Sequence, residues 1–388
     1  MDSVLCERDI PNAGHQITAS DAPDSAALRG IGCGKLLAGS LGFVLLTVGI
    51  FWYQFHRIHV GDQAPQWDQL QWRYFFLILM CLPLETISSG LRIWLICRVL
   101  QSRVGLWACF KAEWANVAIA MLTPSQSGGG PGEIYLLSRG GASVGTALTV
   151  CLLSFVGTMI GLLCMGLYSL LVSGLAHAGP LFAAATWTIV TISAAMILAA
   201  LWPGCLRFVL VALSQTISCL YGIRPHPHGF RLPGDSGKGA DRERLEHVTA
   251  KLVDIIYIYR DDVRRFLRRG KITFVWVCLL SLVFLFSRAL MPYLCLRFLG
   301  INTSSFRQVI EVQVALIFLV FFAPTPGGAG VAEAASLSIM EDIVPIGFTP
   351  YYTLLWRSLT LYLTAAAGLL YLAHALTQDA RHAIRRVR

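Results

Sequence analysis

The chain has 388 residues, 55% of them hydrophobic and only 14% charged, with a mean hydropathy of +0.62. Soluble domains carry about 25% charged residues, so this deficit, with several apolar runs near the roughly 20 residues that span a bilayer, excludes a soluble domain. The runs are continuous rather than alternating, which excludes a membrane β-barrel, and the net charge of +9 sits in a few connecting segments, as in cytoplasmic loops rather than a nucleic-acid surface.

The expected fold is an all-α polytopic integral membrane protein with six full spans and two re-entrant, Pro/Gly-broken helical hairpins in inverted-repeat arrangement. Residues 1–34 open polar and mixed in charge, with turn formers such as Pro11-Asn12 and Pro23-Asp24, and are expected to form a disordered cytoplasmic tail. The first apolar run starts too late for a signal peptide.

The first membrane half covers 35–222. Residues 36–55 predict a span with Trp52, Tyr53 and Trp67 at its far interface. Residues 74–96 predict the next, containing Glu85 and Arg92. These two lie seven positions apart on one helical face and are expected to form a structural pair. Arg98 and Arg103 mark a basic connection, after which 106–122 carries Lys111, Glu113 and Asn116 and is less apolar than a lipid-facing helix. It runs into a Pro/Gly break, so 106–139 reads as the first hairpin. Spans follow at 144–172 and 181–202, and 205–221, with Arg207 near its start, reads as an interfacial helix.

Residues 223–270 form a basic cytoplasmic linker, Pro/Gly-rich up to 240. From Asp241 to Arg269, Leu245, Val248, Leu252, Tyr259, Val263 and Phe266 recur at helical spacing opposite a charged face. That predicts an amphipathic helix on the membrane surface, with Arg264, Arg265, Arg268 and Arg269 turned to anionic lipid head groups. The second membrane half covers 271–376, with spans at 272–296 and 351–375, a hairpin near 305–341, and Arg288 and Arg357 inside the spans. Residues 377–388 are a basic cytoplasmic tail. Most of the 11 cysteines lie in apolar runs, with no C-x-x-C pair or zinc-type His spacing, so they read as small buried hydrophobes.

The two breaks are the informative motifs. Pro124-Ser125-Gln126-Ser127-Gly128-Gly129-Gly130-Pro131-Gly132-Glu133 aligns without a gap on Pro324-Thr325-Pro326-Gly327-Gly328-Ala329-Gly330-Val331-Ala332-Glu333. Each describes a helix that stops, frees its backbone and restarts, which lipid does not tolerate but a cavity does. Corresponding breaks in two halves point to a transporter's binding site. Residues 204–271 hold thirteen Lys or Arg and 379–388 hold four, which places both in the cytoplasm. Counting spans from there, the hairpins enter from opposite faces.

At these motifs, with Tyr135-Leu136-Leu137-Ser138-Arg139-Gly140 and Trp356-Arg357, the chain resembles the transmembrane-region family of lysyl-phosphatidylglycerol synthases, also described as flippase-like domain proteins. The resemblance covers roughly 35–375 and implies movement of an aminoacylated phospholipid or lipid-linked precursor between leaflets of an inner membrane. The sequence ends at Arg388, directly after the final span, so flippase activity rather than lysyl transfer is expected. The linker 223–270 has no match to the family pattern.

The expected substrate-binding residues are Ser125, Gln126, Gly128, Gly129 and Glu133 from the first hairpin, and Thr325, Gly327, Gly328 and Glu333 from the second. Arg139, Arg288 and Arg357 are the expected counter-charges. The glutamates admit several roles: helix-dipole partner, receptor for an amino head group, proton carrier, or ion-pair partner of Arg139, Arg288 or Arg357. The breaks also suit close helix packing alone. No cofactor, metal or catalytic residue is expected. Gly141-Ala142-Ser143-Val144-Gly145 lacks the preceding strand of a nucleophile elbow, Gly234-Asp235-Ser236-Gly237-Lys238-Gly239 has the wrong spacing for a phosphate loop, and His226-Pro227-His228 is a linker fragment. The alternatives to transport are a non-transporting accessory protein that docks an envelope-lipid biosynthetic enzyme, and a membrane-embedded head-group transferase.

Overall fold

The computed structural model describes residues 67–123, 126, 128–173, 257–302, 305–321, 323–340 and 343–387, with scattered positions within 41–56, 187–197 and 254–255. Their regular structure is helical. After a 3-10 turn at Trp67–Gln69 come α1 (Trp72–Val99), α2 (Leu106–Leu122), α3 (Gly129–Arg139) and α4 (Val144–Ser173). The second half holds α5 (Lys271–Phe298), α6 (Phe306–Phe321), α7 (Val331–Ile339), α8 (Thr349–Arg357), a π-helical turn at Ser358–Tyr362 and α9 (Leu363–Val387). The order of long helix, helix, break, short helix, long helix thus occurs in each half.

Four helices are long and apolar enough to cross a membrane: Trp72–Val99, Val144–Tyr168, Lys271–Phe298 and Thr349–Gln378. They coincide with four of the expected spans. The expected spans at 36–55 and 181–202 are described only at scattered positions. The N-terminal tail, the interfacial helix at 205–221 and linker residues 223–253 lie outside the described residues.

Apolar composition gives these helices outward faces that suit lipid, as Phe76, Met80, Trp276 and Val275 show by their exposure. Small and polar residues turn inward instead, where they let helices approach or bond across. Helices α1 and α5 pack along each other, with Ile78, Cys81, Met291 and Cys295 in one buried cluster. Each contains an internal proline, Pro83 and Pro292. In α1 the Thr86 and Ser88 hydroxyls donate to the carbonyls of Leu82 and Leu84 close to that proline.

The two broken segments are helix pairs. In the first, α2 and α3 lie against each other because glycine leaves room. A Cβ on Gly129 would stand 2.3 Å from Asn116 Oδ1, and one on Gly132 would stand 2.6 Å from Ile119 Cδ1. In the second, Gly328 and Gly330 take φ of +67° and +83°, a region that suits glycine. The tips of the two pairs meet. Met121 and Leu122 at the end of α2 cluster with Ala329 of the second break and with Leu361 and Ala365 of the final helix. That final helix also touches the first pair at Gly368, where a Cβ would fall 2.0 Å from the Trp114 carbonyl oxygen.

Two expectations change. The amphipathic segment, described over 257–269, is helical but turns its apolar face to protein rather than to lipid alone. Tyr259, Val263 and Phe266 are buried, and Phe266 joins the main core. Gly145 of α4 sits under Ile258, and Thr146 Oγ1 donates to Asp262 Oδ2 at 2.7 Å. Tyr257 and Leu267 remain exposed. Second, Glu85 and Arg92 do not pair. Glu85 stands 3.9 Å from Arg288 of α5, because α5 packs on the same face and offers a cation. Arg92 donates to Thr158 (2.8 Å), Ser281 (3.1 Å) and Ser89 (3.3 Å).

Candidate functional site: a polar cavity at the helix breaks

Between the tip of the first pair and helices α1, α4 and α5 lies a cavity of about 440 Å³. Its polar lining comes from Arg92, Glu113, Asn116, Gln126, Glu133, Ser154, Thr158 and Arg288, and Gly327 of the second break closes one side. The proximity follows from local structure. Asn116 and Glu113 stand one turn apart on α2 and so share a face. Glu133 reaches the same space because α3 starts after the break and folds back along α2.

Glu133 is 2% exposed. Its Oε2 accepts from Asn116 Nδ2 at 2.7 Å, while Oε1 has no hydrogen-bond partner. Glu113 is buried in the same lining. The positive side of the cavity is Arg92 and Arg288. Arg92 donates to neutral hydroxyls, so its charge is solvated without being cancelled. Phe284 lies beneath both guanidinium groups, with ring centroid distances of 5.5 Å from Arg92 and 5.8 Å from Arg288. Cations over an aromatic face gain stabilisation that grows with desolvation.

Of the expected residues, Gln126 lines the cavity with a backbone φ of +54°, unusual for a residue with a side chain. Its Nε2 lies 3.5 Å from the Val320 carbonyl, across the meeting point of the two pairs. Gly128 donates its N–H to Thr123 Oγ1 at 2.9 Å, and Gly129 packs under Asn116; both shape the site through backbone. Ser125 lies outside the described residues.

The second break is organised differently. Glu333 Oε1 accepts from Arg357 Nε at 2.9 Å, and Glu333 Oε2 accepts from the Gly330 N–H at 2.7 Å. Arg357 Nη2 donates to the Gly327 carbonyl at 3.0 Å. Both side chains are under 5% exposed. Among the partners open to the two glutamates, Arg357 is the one that Glu333 takes, and it also takes the cap of α7. Gly328 packs on Val320, and Thr325 Oγ1 is buried without a partner. Arg139 stands apart from the cavity, half-buried at the end of α3 and donating to Gln378 Oε1 of α9 at 2.9 Å.

Sequence reasoning left out Glu113, Asn116, Arg92, Ser154 and Thr158 as site residues. A signal was present: polar residues one turn apart inside an apolar run are costly unless they face a partner or a cavity. Among the described residues no cluster of His, Cys, Asp or Glu is placed to hold a metal ion.

The chain belongs to the family described as the lysylphosphatidylglycerol synthase transmembrane region, which matches residues 39–368. No curated protein matches it. With four apolar helices of spanning length, it is a multi-pass membrane protein of a family concerned with membrane lipid.

Proposed function

We propose that this family member moves a phospholipid or lipid-linked head group between the leaflets of the cell inner membrane, through the polar cavity at the helix breaks. The observation that carries the reading is Glu133: a buried carboxylate with one oxygen unpartnered, in a cavity that also holds Arg92 and Arg288. Ionisable groups inside a membrane-spanning fold are expensive, and those that line a cavity mark substrate or ion paths.

Charge bias places the linker, the basic tail and both termini in the cytoplasm. In that orientation α5 runs outward and the final helix returns, so the α6–α7 pair is re-entrant from outside and the α2–α3 pair from inside. Inverted repeats with broken helices meeting near the midplane are a common transporter plan. The cluster of Met121, Leu122 and Ala329 supports such a meeting.

The lining favours a head group carrying both charges. Arg92, bonded to hydroxyls, suits a phosphate, and Glu133 with Glu113 suits an ammonium group. Acyl chains would stay in lipid. Arg264, Arg265, Arg268 and Arg269 edge a recess with Gln101 and Asp261, and on the cytoplasmic side they would hold this end against anionic lipid. The same recess favours one rival, an accessory protein that docks an envelope-lipid biosynthetic enzyme.

The test is leaflet exchange in proteoliposomes with fluorescent phospholipids of anionic, zwitterionic and aminoacylated head groups. Wild type should speed exchange of a class that carries an amino group, and Glu133→Gln should abolish it with the protein still folded. No exchange for any class, together with an enzyme captured through the arginine recess, would overturn transport for the accessory role.

A further inference from the structure

We infer that Glu133 and Glu113 hold one exchangeable proton, which leaves when a head group of net positive charge enters the cavity, so that lipid moves in exchange for a proton. The lipid half of this exchange rests on the transport reading. The proton half stands on the geometry of the cavity alone.

The cavity has a charge imbalance. Its charged lining residues are Arg92, Glu113, Glu133 and Arg288. Arg288 already has a partner in Glu85 of α1, at 3.9 Å. Arg92, held by the hydroxyls of Thr158, Ser281 and Ser89, is then the lining cation that faces two carboxylates. Three acids against two guanidinium groups leave one negative charge in excess.

The elements packed around Glu133 do not cancel that charge. Helix α4 brings the hydroxyls of Ser154 and Thr158 and the Cys151 thiol, and α1 brings the buried Cys97 thiol. Beyond Gly327, Arg357 is taken by Glu333. Lys111 of α2 lies over the rings of Trp107 and Tyr371 instead. An uncompensated charge inside a membrane protein is expensive, and two carboxylates that share one site resist being ionised together. One proton removes the excess.

The carboxylates differ in what they can accept. Glu133 Oε2 takes the Asn116 amide at 2.7 Å, while Oε1 is enclosed without a hydrogen-bond partner. An enclosed oxygen suits a proton, which brings no coordination shell, whereas a hard metal ion needs several oxygens around it. Glu113 stands one turn from Asn116 on α2 and lines the open space, where an incoming ammonium group meets it.

The charge count sets the exchange. A head group of net charge +1 restores neutrality by itself, and the proton passes from Glu133 to water on the side from which the lipid enters. A zwitterionic head group leaves the count unchanged and the proton in place. The loaded and the protonated cavity therefore carry the same charge. Exchange is electroneutral, driven by a pH gradient and indifferent to membrane potential.

Two measurements on the full chain test this. In weakly buffered detergent with a pH dye, a short-chain aminoacylated phospholipid of net charge +1 should release one proton per molecule, and short-chain phosphatidylethanolamine none. Glu133→Gln and Glu113→Gln, which each remove the excess charge, should abolish release. Glu311→Gln, outside the cavity lining, should behave as wild type. In proteoliposomes, a pH gradient should speed leaflet exchange of the fluorescent aminoacylated lipid several-fold in one direction, and a potassium–valinomycin potential should not. Exchange without proton release and equal at all pH gradients would overturn the proposal and leave transport standing. Exchange that follows a sodium gradient instead would overturn it too. Proton release with no leaflet exchange would remove the transport reading and keep the proton site.

Discussion

At the second break Glu333 closes on Arg357 at 2.9 Å and caps its own helix through the Gly330 N–H at 2.7 Å. At the first break Glu133, in the same place of the same ten-residue pattern, accepts from Asn116 and keeps one oxygen unpartnered in a cavity. Two copies of one motif therefore stand in opposite electrostatic conditions. The pattern sets where a carboxylate enters the helix interior; the helix that packs opposite sets what the carboxylate can do. Opposite Glu333 runs the final helix with Arg357. Opposite Glu133 runs α2, which offers an amide and another acid. A neutralised ion pair holds a fold, whereas an open carboxylate remains available to a substrate.

The sharpest way to break this contrast is to neutralise each glutamate in turn. Glu333→Gln leaves Arg357 buried without its counter-ion, and loss of one partner of a buried pair costs about 3–5 kcal/mol. Its thermal midpoint in detergent should fall by far more than that of Glu133→Gln, which should be unchanged or higher. Equal losses would mean that Glu133 is also a structural ion.

Packing offers the next test. Gly129→Ala puts a Cβ into the Asn116 amide, an overpacking error of about 1–3 kcal/mol. It should also reduce lipid exchange, since Asn116 must leave Glu133. Gly328→Ala, at φ +67° against Val320, should lower stability too, and its cavity should keep the Asn116–Glu133 bond, detectable as retained exchange in the folded fraction. Removing the amide itself sharpens the comparison further. Asn116→Ala removes the amide from which Glu133 Oε2 accepts, worth about 1–3 kcal/mol for a buried group, and a double-mutant cycle with Glu133→Gln should show that cost shrinking in the double variant.

The smallest effect is expected outside both hairpins. Burial pushes the Asp262 carboxyl above its ordinary value, against the lowering influence of the Thr146 hydroxyl and Arg265, while Asp261 pushes it up. The folded state then holds that proton more tightly than the unfolded chain, so stability declines as pH rises above the usual aspartate range near about 3.9. Asp262→Asn should lack this decline, since its Oδ1 still accepts from Thr146. A thermal melt of both proteins across acidic to neutral pH reads the difference.

How much of this was legible in the sequence depends on range. Helix α1 and the final helix lie where their apolar runs place them, and the breaks at 123–128 and 322–330 are marked by Pro and Gly, whose backbone preferences act locally. Glu333 as a partner of Arg357 was one of several options, because spacing gives no distance across helices. Glu85 and Arg92 share a helix face, which suggested a pair; but Arg288 from α5 reaches Glu85, and hydroxyls from α4 and α5 reach Arg92. Arg139 sits in a motif segment, yet the end of α3 carries it away from the cavity, beside Gln378.

Apolar runs and charge bias act residue by residue through transfer to lipid, so composition alone determined a helical membrane protein with two interrupted segments. Which polar side chains meet was decided only by tertiary structure. That outcome depends on helix rotation and on close approaches such as Gly129 to Asn116 and Gly368 to Trp114. A shift of one residue in any of these helices would turn a different face inward, and the open carboxylate at Glu133 would then be closed or lost.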